Sequence, residues 1–205
     1  MEPKSSSDIL ETFQRKVKAL EQIRKKQERL FSSGQIGRRD IEEVYAEIFL
    51  NAVASFEGLI EELFIGLLPG KVTSMHQNVN VRIKIKSERL ARDVVLRGRK
   101  FFNWLPYENT KKIAKIFFTG GRPLILITDA GETHIDKCLT IRHAIAHKSR
   151  HAASKFKQEV LAGLSLMPRD KRPKSFLRAQ FSANPPTIYY EQLVGELFKI
   201  ASKLC

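Results

Sequence analysis

The chain has 205 residues, 42% hydrophobic and 28% charged, with a formal net charge of +14. That balance fits a globular domain with a real core, and two cysteines, Cys138 and Cys205, exclude a disulfide framework or a zinc finger. No apolar run approaches membrane-spanning length and the polar stretch Met1–Asp8 carries no apolar leader core, so we expect a cytoplasmic protein without a membrane partner.

The first helix is expected from about Asp8 to Phe31, where Ile9, Phe13, Val17, Leu20, Ile23 and Leu30 recur at three- and four-residue steps. Ser7 or Asp8 is placed to cap it, and Ser32-Ser33-Gly34 to stop it. The second helix is expected from the N-cap Asp40 to Leu68, ended by Pro69-Gly70. Its apolar band is wider than one stripe, so it should be covered on two sides. Gly58 inside it costs about 1 kcal/mol relative to alanine, which a close helix crossing would explain. The two helices read as a long antiparallel hairpin.

From Lys71 the pattern changes. Val79, Val81, Ile83 and Ile85 alternate with polar residues, the period of a strand or extended segment. Helices are expected over Ser87–Arg97 and Glu108–Phe118, broken by Gly98 and Gly120-Gly121, and Pro123–Thr128 reads as a strand or loop. Another helix begins near Asp129–Glu132, and Ala152–Leu161 follows after a break at Lys148–Arg150. The stretch Met167–Pro186 is rich in Pro, Lys and Arg and reads as an exposed connection; Thr187–Leu204 closes the chain as a helix. The expected architecture is a single all-α domain, 1–205, with an irregular insert over about 71–130 that has room for short strands, and an exposed 167–186 connection.

The cations are not spread evenly. Between Arg82 and Arg122 twelve Lys/Arg face three acids, and between Arg142 and Arg178 ten face two, whereas Asp40–Glu62 is acidic. Solubility does not require such clustering, so a polyanion partner is expected, nucleic acid first and a membrane surface second. At the start of the second basic region lies Ile141-Arg142-His143-Ala144-Ile145-Ala146-His147-Lys148-Ser149. Arginine holds phosphate in any protonation state, and histidine moves protons near neutral pH. The bare spacing is weak: 16 Arg and 5 His in 205 residues give about 0.4 such pairs by chance.

Arg142-His143-Ala144-Ile145-Ala146-His147, the earlier helix around Asn51–Leu63, and the helix order together resemble the HEPN superfamily, and within it the RiboL-PSP-HEPN group of ribonucleases, over roughly residues 8–160. The resemblance implies a HEPN-type helical bundle, a homodimer, and metal-independent RNA cleavage in a toxin–antitoxin or anti-phage defence setting with an antitoxin or defence partner. Arg142 and His147 match the family's catalytic pair and His143 its variable polar position. Family members silenced by nucleotide transfer carry a tyrosine two places after the histidine. Ser149 stands there in this chain, so that regulation is not implied.

Five residues on an ideal helix turn about 500°, leaving Arg142 and His147 about 140° apart. Either the helix is distorted near His147 or two chains complete the site. The second is favoured, because it agrees with the family's dimer. His143, His147 and His151 have a spacing that can bind zinc, but without nearby Cys or carboxylate ligands, so no metal or other cofactor is expected. Glu57 shares a face with Val53, Ile60 and Phe64 and is placed to orient Arg142 or His143; an ordinary helix-face acid is the preferred reading. Lys148 and Arg150 are expected phosphate contacts. Arg97, Arg99 and Lys100, beside Phe101, Phe102 and Trp104, combine phosphate contact with base stacking, against a preferred core role for the aromatics. The competing function is a non-catalytic RNA-binding or helical interaction module of the same fold.

Overall fold

The computed structural model describes residues 3–76 and 79–205. Two long helices, α1 (Ser6–Ser32) and α2 (Arg38–Leu67), pack as the expected antiparallel hairpin. Their start signals sit slightly upstream of the expected caps. Ser5 caps α1, and Asp8, three positions on, accepts from the Ser5 amide at 2.8 Å. Asp40 likewise reaches back to the Gly37 amide at 2.9 Å instead of occupying the cap itself. Ahead of α1, strand β1 (Lys4–Ser5) pairs in parallel with β2 (Val72–Thr73), just after α2.

The wide apolar band of α2 is the spine of the core. Ile41, Tyr45, Phe49, Phe56, Ile60, Leu63 and Phe64 are fully buried, covered by α1 on one side and on others by α5 (Asp129–Ala146) and α8 (Tyr189–Leu204). Gly58 is not at a helix crossing: a β-carbon there would meet nothing within 4 Å. The close approach is at Gly66, where a β-carbon would lie 2.3 Å from Val72 Cγ2 as the chain turns back into β2.

The insert holds α3 (Glu88–Leu96) and α4 (Tyr107–Phe117), near the expected bounds. Val79–Ile85 forms no ladder. Val81 makes a single antiparallel bridge to Phe118, Ile85 is buried and Ile83 is exposed, because no second strand lies alongside. Pro123–Thr128 is a loop rather than a strand, with one 3₁₀ turn over Leu124–Leu126. The insert is joined to the bundle through Phe64, whose ring lies 5.1 Å from Trp104, 5.9 Å from Phe117 and 5.1 Å from Phe118.

After α5 the chain turns into α6 (Arg150–Glu159), then α7 (Pro173–Phe176), the hairpin of β3 (Gln180–Ala183) and β4 (Pro186–Ile188), and α8. The 167–186 segment is therefore not simply an exposed connection. Its charged first half is followed by Ser175, Phe176, Leu177 and Ala179, which are all buried. Phe176 packs on Phe156 and Tyr189. Charge fastens the same region. Arg24, only 7% exposed, donates to Glu21, to the Tyr45 hydroxyl at 2.9 Å and to Glu191 at 2.6 Å. Tyr45 donates on to Glu28, which also accepts from Arg178. Buried charges are tolerated only when paired in this way. Among the described residues no helix is long and apolar enough to cross a membrane.

Candidate active site

The motif lies at a corner between two helices. α5 stops at Ala146, and its last bond runs from the His147 amide to the His143 carbonyl at 2.8 Å. His147 is already extended, at φ −116° and ψ 115°. Two residues later Ser149 caps α6, its hydroxyl accepting from the Ala152 amide at 3.1 Å. α6 then folds back on α5. Ala152, Phe156 and Val160 are buried, and the Thr140 hydroxyl donates to Glu159 at 2.8 Å across the two helices. Burial of that apolar face, together with the serine cap, ends α5 without glycine or proline.

This corner changes the geometry of the pair. The 140° offset assumes an uninterrupted helix, and His147 is not helical. Its ring lies 5.7 Å from that of His143, centroid to centroid, tilted by 55°. The helix thus departs from ideal geometry at His147, the first of the two expected solutions, with the His147 amide still bonded to the His143 carbonyl.

Glu57 is not an ordinary helix-face acid. Its Oε1 accepts from Arg142 Nη1 at 3.0 Å, joining the middle of α2 to the motif. Burial is the largest influence on Glu57 and raises its pKa above the usual carboxylate value; the adjacent Arg142 only partly offsets this. Arg142 is half-buried, while His143, His147, Lys148 and Arg150 are exposed. The protein atoms around the His143 ring lower its pKa first, and the charges of Arg142, His147 and Lys155 push the same way. His143 is thus biased toward the neutral form, which can accept a proton.

Arg142 uses one of its five N–H donors on Glu57. The others remain for phosphoryl oxygens, since a guanidinium is a planar fork suited to two acceptors at once. The corner thus presents an anchored cation, two neighbouring imidazoles, and Lys148 and Arg150 at the rim. Among the described residues no three His, Cys, Asp or Glu side chains gather as metal ligands would.

Arg97, Arg99 and Lys100 are exposed. Arg97 and Arg99 line a cleft of about 270 Å³ between the end of α3 and α4, with Phe102 and Asn103. The aromatics divide: Trp104 is core, Phe102 is half-buried, and Phe101 is 69% exposed. Sequence reasoning missed a larger groove of about 970 Å³ beside the motif, between the start of α2, the end of α5 and the Arg169–Ser175 segment. The basic run around Arg169–Lys174 was its one visible signal, and that run had been read only as a connection. The chain matches no family model, no curated protein and no solved structure.

Proposed function

We propose that the chain is a metal-independent endoribonuclease of the HEPN type, with Arg142 and His147 as its catalytic pair. The observation that carries this reading is the corner itself, where Glu57 anchors Arg142 by one nitrogen and the helix break sets His147 beside His143 at an exposed, basic surface. RNA supplies its own nucleophile. A histidine removes the proton of the 2′-hydroxyl, whose oxygen attacks phosphorus. The free nitrogens of Arg142 hold the non-bridging oxygens as negative charge grows on them. The phosphorus–5′-oxygen bond breaks and the leaving oxygen takes a proton. The products are a 2′,3′-cyclic phosphate and a 5′-hydroxyl. His143, neutral and adjacent, supports proton transfer, and Lys148 and Arg150 hold flanking phosphates. The resemblance to HEPN ribonucleases adds a homodimer and a toxin–antitoxin or anti-phage role to the proposal.

The test is incubation of the purified protein with total RNA in EDTA. Cleavage that persists in EDTA, yields cyclic phosphate ends by mass spectrometry and falls to a small residual rate in Arg142→Ala and His147→Ala supports the enzyme. The open basic groove favours a second reading, a module that binds RNA without cutting it. Retention of intact RNA under every condition would select that reading instead.

A further inference from the structure

The groove beside the motif is built from three separated parts of the chain: Arg38 and Arg39 at the start of α2, Ala144, Ile145 and Lys148 at the end of α5, and the Arg169–Ser175 segment. Its acids are already engaged. Glu42 accepts from Arg38 at 2.6 Å, Asp170 accepts from Arg38 at 2.8 Å, and Glu43 is paired with Lys174. Arg39, Lys148 and Arg172 are exposed, and among the described residues none has a carboxylate partner. Each keeps its full charge for a ligand.

Between these cations the groove offers an apolar strip of Ala144, Ile145 and Pro173, half-buried and close to the backbone. Free cations at the rim with an apolar strip between them match a single nucleic-acid strand, whose charge is on the phosphates and whose bases present apolar faces. A membrane surface is flat and would not use a concave groove. Lys148 directly follows His147, so the lining of the groove reaches the residue next to the proposed catalytic histidine.

We infer that this groove is the binding track for a single polynucleotide strand, gripped through its phosphates by Arg39, Lys148 and Arg172 and delivered to the corner at His147. That the strand is the substrate rests on the ribonuclease reading; that the groove binds it does not. Recognition through phosphates means that a DNA strand, which lacks the 2′-hydroxyl, occupies the same track and is not cut.

That distinction sets the test. Fluorescein-labelled oligo(dT) is titrated with the full chain between about 50 and 200 mM salt and followed by anisotropy. A single strand loses about 0.7 in the slope of log K against log salt for each cation removed from a phosphate. The Arg39→Ala/Arg172→Ala variant should therefore show a slope shallower than wild type by about 1.4. Lys18→Ala/Lys26→Ala removes the same charge from exposed positions on α1, outside the groove, and should leave the slope near wild type. Arg39 and Arg172 are exposed, so substitution should leave the melting temperature near wild type, which a melting curve checks. An equal slope in both double variants overturns the inference, even where RNA cleavage survives. So does a groove variant that becomes monomeric in sedimentation while binding oligo(dT) as wild type does, because the groove then belongs to a second copy. Wild-type protein that binds oligo(dT) with the expected slope change yet never cuts RNA would sink the ribonuclease reading and leave the groove standing.

Discussion

Replacing Glu57 with glutamine separates a positioning carboxylate from a structural one. Glu57 Oε1 sits 3.0 Å from Arg142 Nη1. Glutamine keeps an acceptor there but removes the charge, and a charge-assisted hydrogen bond is roughly twice as strong as a neutral one. Such bonds contribute about 1.5–3 kcal/mol. With the side chains 23% and 33% exposed, the lower end applies, so the loss is about 1 kcal/mol. If Arg142 steadies charge in the transition state, that loss reduces kcat about fivefold with little change in KM. Stability should move the other way. The Glu57 pKa is raised, so above the usual carboxylate range the ionised group lowers folding stability, and glutamine removes that cost. The expected signature is a lower kcat with an unchanged or higher Tm. The Glu57→Gln change should also have no further effect once Arg142 is alanine, as a double-mutant cycle of residual rates would show. Wild-type kcat in Glu57→Gln, or the same loss with and without Arg142, would refute the role.

Phe64→Ala should lower stability by about 3–5 kcal/mol, since the ring is fully buried against three aromatic rings of the insert. Calorimetry should show one cooperative transition shifted down by roughly 10 °C; two separated transitions would mean that the insert folds apart from the bundle. His134 bonds through Nε2 to the Leu193 carbonyl at 2.9 Å, and burial, its largest influence, pushes its pKa below 6.5. A depressed histidine gives stability that is complete above the unfolded pKa and is lost as pH falls through the folded one. Tm should therefore drop less between about pH 7 and pH 5 in His134→Gln than in wild type, and equal drops would contradict this.

The hairpin was legible because α1 and α2 carry unbroken helical periodicity for many turns, and the burial of Ile41 through Phe64 follows that pattern residue by residue. Boundaries were less legible. Asp8 and Asp40 looked like caps but act as third-position residues reaching back to Ser5 and Gly37, and sequence alone does not tell which oxygen meets which amide. Val79–Ile85 alternates like a strand, but alternation records only which side chains face inward, and a ladder also needs a neighbour. The 167–186 segment misled because its prolines and cations read as an exposed linker. A few apolar residues, Phe176 and Leu177 above all, are enough to bring it onto the core, and the groove exists because that segment is held down.

The proposed Arg142–His147 pair stood out by residue type, whereas its departure from ideal helix geometry did not, for a local reason. The five-residue interval between Arg142 and His147 gives a 140° offset only if both residues are helical. Ser149 was available as the sign that they are not: a serine followed at Ala152, Phe156 and Val160 by a new apolar stripe is a helix start. A second helix beginning at Arg150 obliges the first to end before it, and the end falls on His147. The same break turns Lys148 toward the groove lined by Arg39 and Arg172. One hydroxyl cap thus decides both where His147 sits relative to His143 and where a bound strand would meet it.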